Sequence, residues 1–191
     1  MIGNKMLTPW EGNELNNFIA GWYIDENLCD EIVDYFEKNA DLFQSDTHNF
    51  CSVTPIQALP NNLIDAYSKQ MFTVIELYKE KYKFSYEDLV PWRMTPPMFH
   101  KYLPGQSYSR PHCENDGSTD PEVEPRHLSL MSYLCNIKDE GGTYFYNQDI
   151  TTPSKKGLTI LFPAHWTHRH RGMPATNDTK YITTSFAKFV R

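Results

Sequence analysis

The feature that most constrains this chain is a change of hydrophobic period near Pro91. Before it, apolar residues recur at three- and four-residue steps, the spacing of a helix that buries one face. In ENLCDEIVDYFEKNADLF, Leu28, Ile32, Val33 and Phe36 form such a stripe, and Asp25 stands where a cap belongs. After Pro60 a second stripe runs through Leu63, Ile64, Tyr67, Met71, Ile75 and Tyr78, with Asn61 or Asn62 as its cap. From Pro91 onward, short β-prone runs alternate with turn residues, the pattern of an antiparallel all-β unit. Strands are expected from Met98 to Leu103, Leu128 to Cys135, Thr143 to Tyr146, Leu158 to Phe162 and Lys180 to Val190. Gly105, Pro111, Gly117, Pro121, the Gly141-Gly142 pair, Pro153, Gly157, Pro163 and Pro174 supply the breaks. The expectation is one mainly β domain over residues 1–191, with residues 1–90 as a helical support. Residues 91–191 then form a jelly-roll core, a double-stranded, cupin-like β-helix. The polar, acidic and proline-rich stretch from Asn115 to Pro125 should be an exposed loop.

Composition narrows the class. A chain of 191 residues with 40% hydrophobic content can bury one sizeable core but is short for two. With 18 basic against 24 acidic residues, the net charge of -6 argues against partners held by phosphate neutralisation, so nucleic acid and anionic membrane surfaces are not expected. Cys29, Cys51, Cys113 and Cys135 lie far apart with no CxxC pair, and read as free thiols. The opening MIGNKMLTPWEGNELNNF has no apolar leader core, and no stretch matches a membrane span, so a reducing cytoplasm is the expected compartment.

The histidines are unevenly placed: His165, His168 and His170 crowd into one short segment. A fourth, His112, stands two residues before Glu114. In extended backbone, alternate side chains share a face, so His112 and Glu114 can reach one metal while Cys113 points away. Two imidazoles and a carboxylate make a facial triad that leaves coordination positions open on iron(II). The third ligand falls to the histidine cluster, where His168 and His170 compete.

Several ordered motifs then agree together. Lys101-Tyr102-Leu103-Pro104-Gly105-Gln106-Ser107-Tyr108 leads to His112-Cys113-Glu114-Asn115. Arg126-His127-Leu128 through Leu134 is followed by Glu140-Gly141-Gly142-Thr143-Tyr144-Phe145. The last block holds Gly157, Phe162-Pro163, His170-x-Gly172-x-Pro174 and Lys180-Tyr181. From Met98 to Arg191 the chain resembles the catalytic half of the 2-oxoglutarate and iron(II)-dependent oxygenases, in their prolyl 4-hydroxylase-like branch, and most of all phage-encoded members. The resemblance implies His112, Glu114 and His170 as iron ligands, with His168 a hydrogen-bonding neighbour. It implies Lys180 as the cation for the distant carboxylate of 2-oxoglutarate, with Tyr102 and Thr184 assisting. If Lys180, Ile182, Thr184 and Phe186 share the inner face of one strand, the ammonium stands inside the barrel. The chain departs from the usual pattern in carrying Glu114 for Asp, in Gly-Gly-Thr-Tyr-Phe at the turn, and in the spacing of Tyr108 from His112. A carboxylate retained at position 114 argues against the halogenase variant of the family.

The activity implied is oxidation of an unactivated C–H bond by O2, coupled to conversion of 2-oxoglutarate to succinate and CO2, with ascorbate as a supporting reductant. The branch implies a peptidyl proline in a peptide or protein substrate, in the host cytoplasm if the chain is phage-encoded. A free amino acid or other small molecule is the alternative, and Arg110, Arg126, Arg169 and Arg171 stand near the motifs to receive substrate groups. From another class comes a non-catalytic cupin-like metal-binding protein, which would have no use for a buried lysine after its last ligand.

Overall fold

The computed structural model describes residues 7–12, 17–42, 44–45 and 51–190. Part of the N-terminal stretch read above as leader-free, residues 1–6 and 13–16, lies outside the described residues. The elements in chain order are β1 (Thr8–Pro9), β2 (Ala20–Tyr23), α1 (Glu26–Lys38), β3 (Gln44–Ser45), β4 (Ser52–Pro55), α2 (Asn61–Lys81), β5 (Trp92–Met94), β6 (Met98–Tyr102) and β7 (Arg126–Tyr133). They continue with β8 (Thr143–Phe145), β9 (Ile150–Thr152), β10 (Leu158–Pro163), β11 (His170–Gly172) and β12 (Lys180–Phe189).

Both helices form where the apolar stripes place them. The Asp25 carboxylate accepts the Asn27 backbone N–H at 2.9 Å and caps α1, which buries Leu28, Cys29, Ile32 and Phe36. At α2 the expected asparagine cap is corrected. Pro60, extended at ψ 146, takes the cap position without a side-chain bond, and its carbonyl accepts the N–H groups of Leu63 and Ile64. The helix therefore begins at Asn61 itself, leaving Asn61 and Asn62 exposed in its first turn.

The strands form two antiparallel sheets. The larger runs β1-β2-β10-β7-β12-β6-β4-β3, with β5 also pairing β12; the smaller runs β11-β8-β9. The expected strands after Pro91 are found, with ends shifted by a residue or two. The purely helical support is corrected: β2 pairs with β10, and β4 with β6, so the N-terminal part adds strands to the large sheet. Four-residue strands such as Ala-Gly-Trp-Tyr carry too few alternations to show a period, which is why the pattern misses them.

Each face of the large sheet covers an apolar cluster. On one side α1 and α2 pack Phe36, Tyr67 and Tyr78 against Phe99, Leu128, Leu130 and Ala187. On the other, between the sheets, lie Tyr102, Met131, Tyr133, Phe145, Ile160, Phe162 and Ile182. The period of two along β12 divides its side chains accordingly. Thr183 meets the Tyr67 hydroxyl on the helix side, whereas Ile182 enters the inner cluster together with its alternates Lys180 and Thr184. All four cysteines are free thiols. Among the described residues no helix is long and apolar enough to cross a membrane.

The Gly141-Gly142 turn sets how closely β8 approaches β9. A Cβ on Gly142 would run into the Thr152 carbonyl oxygen, and Gly141 adopts φ +66. Gly142→Ala is therefore expected to lower the urea midpoint, at a cost of about 1–3 kcal/mol. An unchanged midpoint would mean that the turn tolerates the extra atom.

Candidate active site

The site is built around a backbone contact between two histidines. His112 and His170 face each other as an isolated antiparallel bridge, exchanging N–H···O bonds of 2.9 and 2.8 Å. Such a pair holds its side chains on one face, and here the ring centroids are 4.4 Å apart. Each imidazole donates its Nδ1–H to a backbone carbonyl at 2.9 Å, His112 to Arg110 and His170 to His168. Because a carbonyl can only accept, the neutral ring then keeps a lone pair on Nε2. Both Nε2 atoms lie 3.5 Å from the same Glu114 oxygen, Oε1. Ligand atoms of His112, Glu114 and His170 all fall within 4.8 Å of one another.

Two lone pairs aimed at a carboxylate repel unless a cation stands among them, so the donor set fits a divalent ion of the Fe(II) type. Burial by itself would raise the Glu114 carboxyl, but in the metal-free site hydrogen bonds and charge from His112 and His170 in their doubly protonated form outweigh it and hold the group well below the usual carboxylate range. The other Glu114 oxygen is engaged as well. Arg126 Nη1 donates to Oε2 at 3.4 Å and to the Glu114 carbonyl at 3.2 Å, while its guanidinium lies 4.0 Å over the Phe186 ring. Aromatic rings wall in the trio: Phe145 and Phe162 pack on His170, and Tyr108 meets His112 edge-on at 4.4 Å.

His168 stands apart from this trio. The 3-10 turn Trp166–His168 breaks the alternation that would have put it on the face of His170. Its ring is buried, with Nε2–H donated to the Asn17 carbonyl at 2.8 Å and Nδ1 bonded to the Thr167 hydroxyl at 3.0 Å. It therefore ties the segment around Asn17 to the site, and its own carbonyl orients His170.

Lys180 is 3% exposed, yet among the described residues no carboxylate pairs with it. Its ammonium donates to the Met173 carbonyl at 2.8 Å and lies 4.9 Å over the ring of Tyr102, its register partner on β6. Burial pulls the amine down to about 8. Lys180 and Tyr102 are thus brought together, whereas Thr184 lies four residues along β12, about 13 Å away by strand rise. Thr184 instead bonds His100 Nε2 at 2.8 Å, one rung from Phe186 and the Arg126–Glu114 contact. No motif marks His100 in the sequence, although its place two residues before Tyr102 puts it on the same strand face. Arg110 and Arg169 are exposed and Arg171 half-buried. An apolar groove of about 470 Å³ between α2 and β5, lined by Met71, Phe72, Trp92 and Met94, contains none of these site residues.

Residues 97–188 match the family described as the 2OG-Fe(II) oxygenase superfamily. Over these residues, a little under half of its length, the chain carries a 2OG-Fe(II) oxygenase domain. Among curated proteins, procollagen-lysine,2-oxoglutarate 5-dioxygenase 1 of Bos taurus is 28% identical over 177 residues, which cover 84% of this chain. The match spans only 22% of that relative's length. Among solved structures, the viral collagen prolyl hydroxylase of Paramecium Bursaria Chlorella virus-1, a 2OG complex, has a TM-score of 0.68 at 19% identity and covers 98% of both chains. A Pseudomonas putida prolyl-4-hydroxylase has a TM-score of 0.71 at 15% identity, covering 92% of this chain and 95% of its own. These two likenesses carry the fold of the oxygenase domain.

The buried ammonium leaves a signature in stability. Its folded value of about 8 lies below the ordinary 10.5, so the unfolded chain binds the proton more tightly between these pH values. Below about pH 8 the charge costs stability, and the cost is relieved as pH rises towards 10.5. Lys180→Met is expected to raise the unfolding free energy of the ligand-free oxygenase domain at pH 7 by about 1–3 kcal/mol. The advantage should shrink between pH 8 and 10.5. A variant less stable than the parent throughout would contradict the reading.

Proposed function

We propose that this chain is a 2-oxoglutarate-dependent iron(II) dioxygenase that hydroxylates a side chain of a peptide or protein, with peptidyl proline as the leading acceptor and succinate and CO2 as co-products. The observation that carries the reading is the pairing of two features between the same sheets: a trio of two imidazoles and a carboxylate, and a buried ammonium that no carboxylate pairs with among the described residues. His112, Glu114 and His170 would hold the iron, which when bound supplies the oxygen activation that side chains cannot. Their Nδ1–H bonds keep Nε2 available as donor, and Arg126 restrains the longer glutamate by occupying its second oxygen. Lys180, with Tyr102 beside it, would receive the distal carboxylate of 2-oxoglutarate; an incoming anion relieves the cost of the buried charge. The apolar cluster of Met131, Tyr133, Phe145 and Phe162 would exclude water around the co-substrate. A metal-binding protein without catalysis has no need of that ammonium. The acidic balance of the chain suits a neutral or basic peptide more than a phosphorylated or nucleic-acid substrate.

A peptidyl lysine is the second acceptor, supported by the likeness to procollagen-lysine,2-oxoglutarate 5-dioxygenase 1 across 84% of the chain. Incubation of the protein with iron(II), 2-oxoglutarate, ascorbate and proline-rich or lysine-containing peptides tests both. Succinate release with a gain of one oxygen atom on proline supports the leading reading, and the same gain on lysine transfers it. No succinate with any peptide, together with no binding of N-oxalylglycine, would sink the oxygenase reading. His170→Ala is expected to lose bound iron, while His168→Ala keeps iron at reduced stability. Metal analysis showing the reverse would move the ligand role to His168.

A further inference from the structure

One wall of the barrel interior carries a line of polar groups that the proposed function uses only in part. Cys51 Sγ lies 3.7 Å from Nδ1 of His100, and Nε2 of His100 lies 2.8 Å from the Thr184 hydroxyl. Cys51 is 6% exposed and belongs to the inner apolar cluster with Tyr102 and Ile182. His100 stacks on Tyr102 with an interplanar angle of 18°, and Lys180 lies over the other partner of that stack. The line thus runs from the ammonium end of the pocket towards Phe186, whose ring meets the arginine that holds Glu114.

A neutral imidazole has one N–H, so this line has two polarities. In one, the Cys51 thiol donates to Nδ1, the proton sits on Nε2, and Nε2–H donates to the Thr184 oxygen. The threonine O–H is then released to donate elsewhere. In the other, Nδ1–H points at sulfur and Nε2 accepts the Thr184 proton, which leaves only oxygen lone pairs for a neighbouring ligand. A carboxylate favours the first and is repelled by the second.

We infer that Cys51 and His100 are positioning residues for the co-substrate, setting the polarity of the Thr184 hydroxyl so that it donates to a carboxylate oxygen of 2-oxoglutarate bound between Lys180 and the metal trio. The inference rests on the proposed function. It assigns His100 a task that an apolar residue on the same strand face could not perform.

The test measures 2-oxoglutarate binding calorimetrically to zinc-loaded protein, because zinc occupies such a donor set without redox chemistry. Thr184→Val and His100→Phe are each expected to weaken binding about tenfold, and Cys51→Ala about threefold. The double variant His100→Phe/Thr184→Val should be no weaker than either single, since both remove one shared bond. His100→Gln, which keeps a donor near Nε2, should stay within about threefold of the parent. Zinc affinity should not change in any variant. Unchanged binding in His100→Phe and Cys51→Ala, or penalties that add in the double variant, would overturn the inference while leaving the proposed function intact. A parent protein that binds no 2-oxoglutarate would overturn both.

Discussion

The backbone bridge between His112 and His170 is the contact on which the site depends. Two reciprocal hydrogen bonds join a loop segment to a strand of the small sheet, and the register they impose places both imidazoles on one face. The remaining features follow from it locally. Each ring finds a carbonyl for its Nδ1–H within two residues of itself, which fixes the tautomer and turns Nε2 inward. Glu114, two residues beyond His112, reaches the same point because extended backbone alternates its side chains. The loop that follows is anchored in turn: the Asn115 side chain donates to the carbonyls of Glu124 and Arg126, delivering the arginine to Glu114.

The second constraint is electrostatic. A buried lysine ammonium with no carboxylate beside it among the described residues lowers the stability of the empty fold, and proteins retain such groups where binding needs them. The Tyr102 ring and the Met173 carbonyl soften the cost, and the cysteine and histidine placed along the same wall extend the polar strip into an otherwise apolar interior. The helices stand on the opposite face of the large sheet. There Tyr67 bonds Ser132 and Thr183, so α2 buttresses β7 and β12 without entering the site.

How much of this was legible in the sequence varies with the range of the interaction. The apolar stripes of α1 and α2 and the alternation along β12 are local, and they were readable. Short motifs at ordered spacing, through the resemblance, point to His112, Glu114, His170 and Lys180, and the folded chain gathers the first three. What escaped depends on pairing across the fold. Strand β2 is four residues long and owes its existence to β10, more than a hundred residues on. The 3-10 turn that takes His168 off the face of His170 is not visible in the residues themselves. Thr184 lies on the inner face as expected, and its bond to His100 is a pairing between strands that the sequence does not show. Arg126 stands near the motifs in the sequence, and only the folded chain shows it holding Glu114.

The most direct test of this account is anomalous diffraction from anaerobic crystals of the protein grown with iron(II) and 2-oxoglutarate. The account predicts one iron peak among the Nε2 atoms of His112 and His170 and the Glu114 carboxylate, with the distal carboxylate of 2-oxoglutarate on the Lys180 ammonium. Iron bound elsewhere, or the co-substrate seated with neither carboxylate at Lys180, would contradict it.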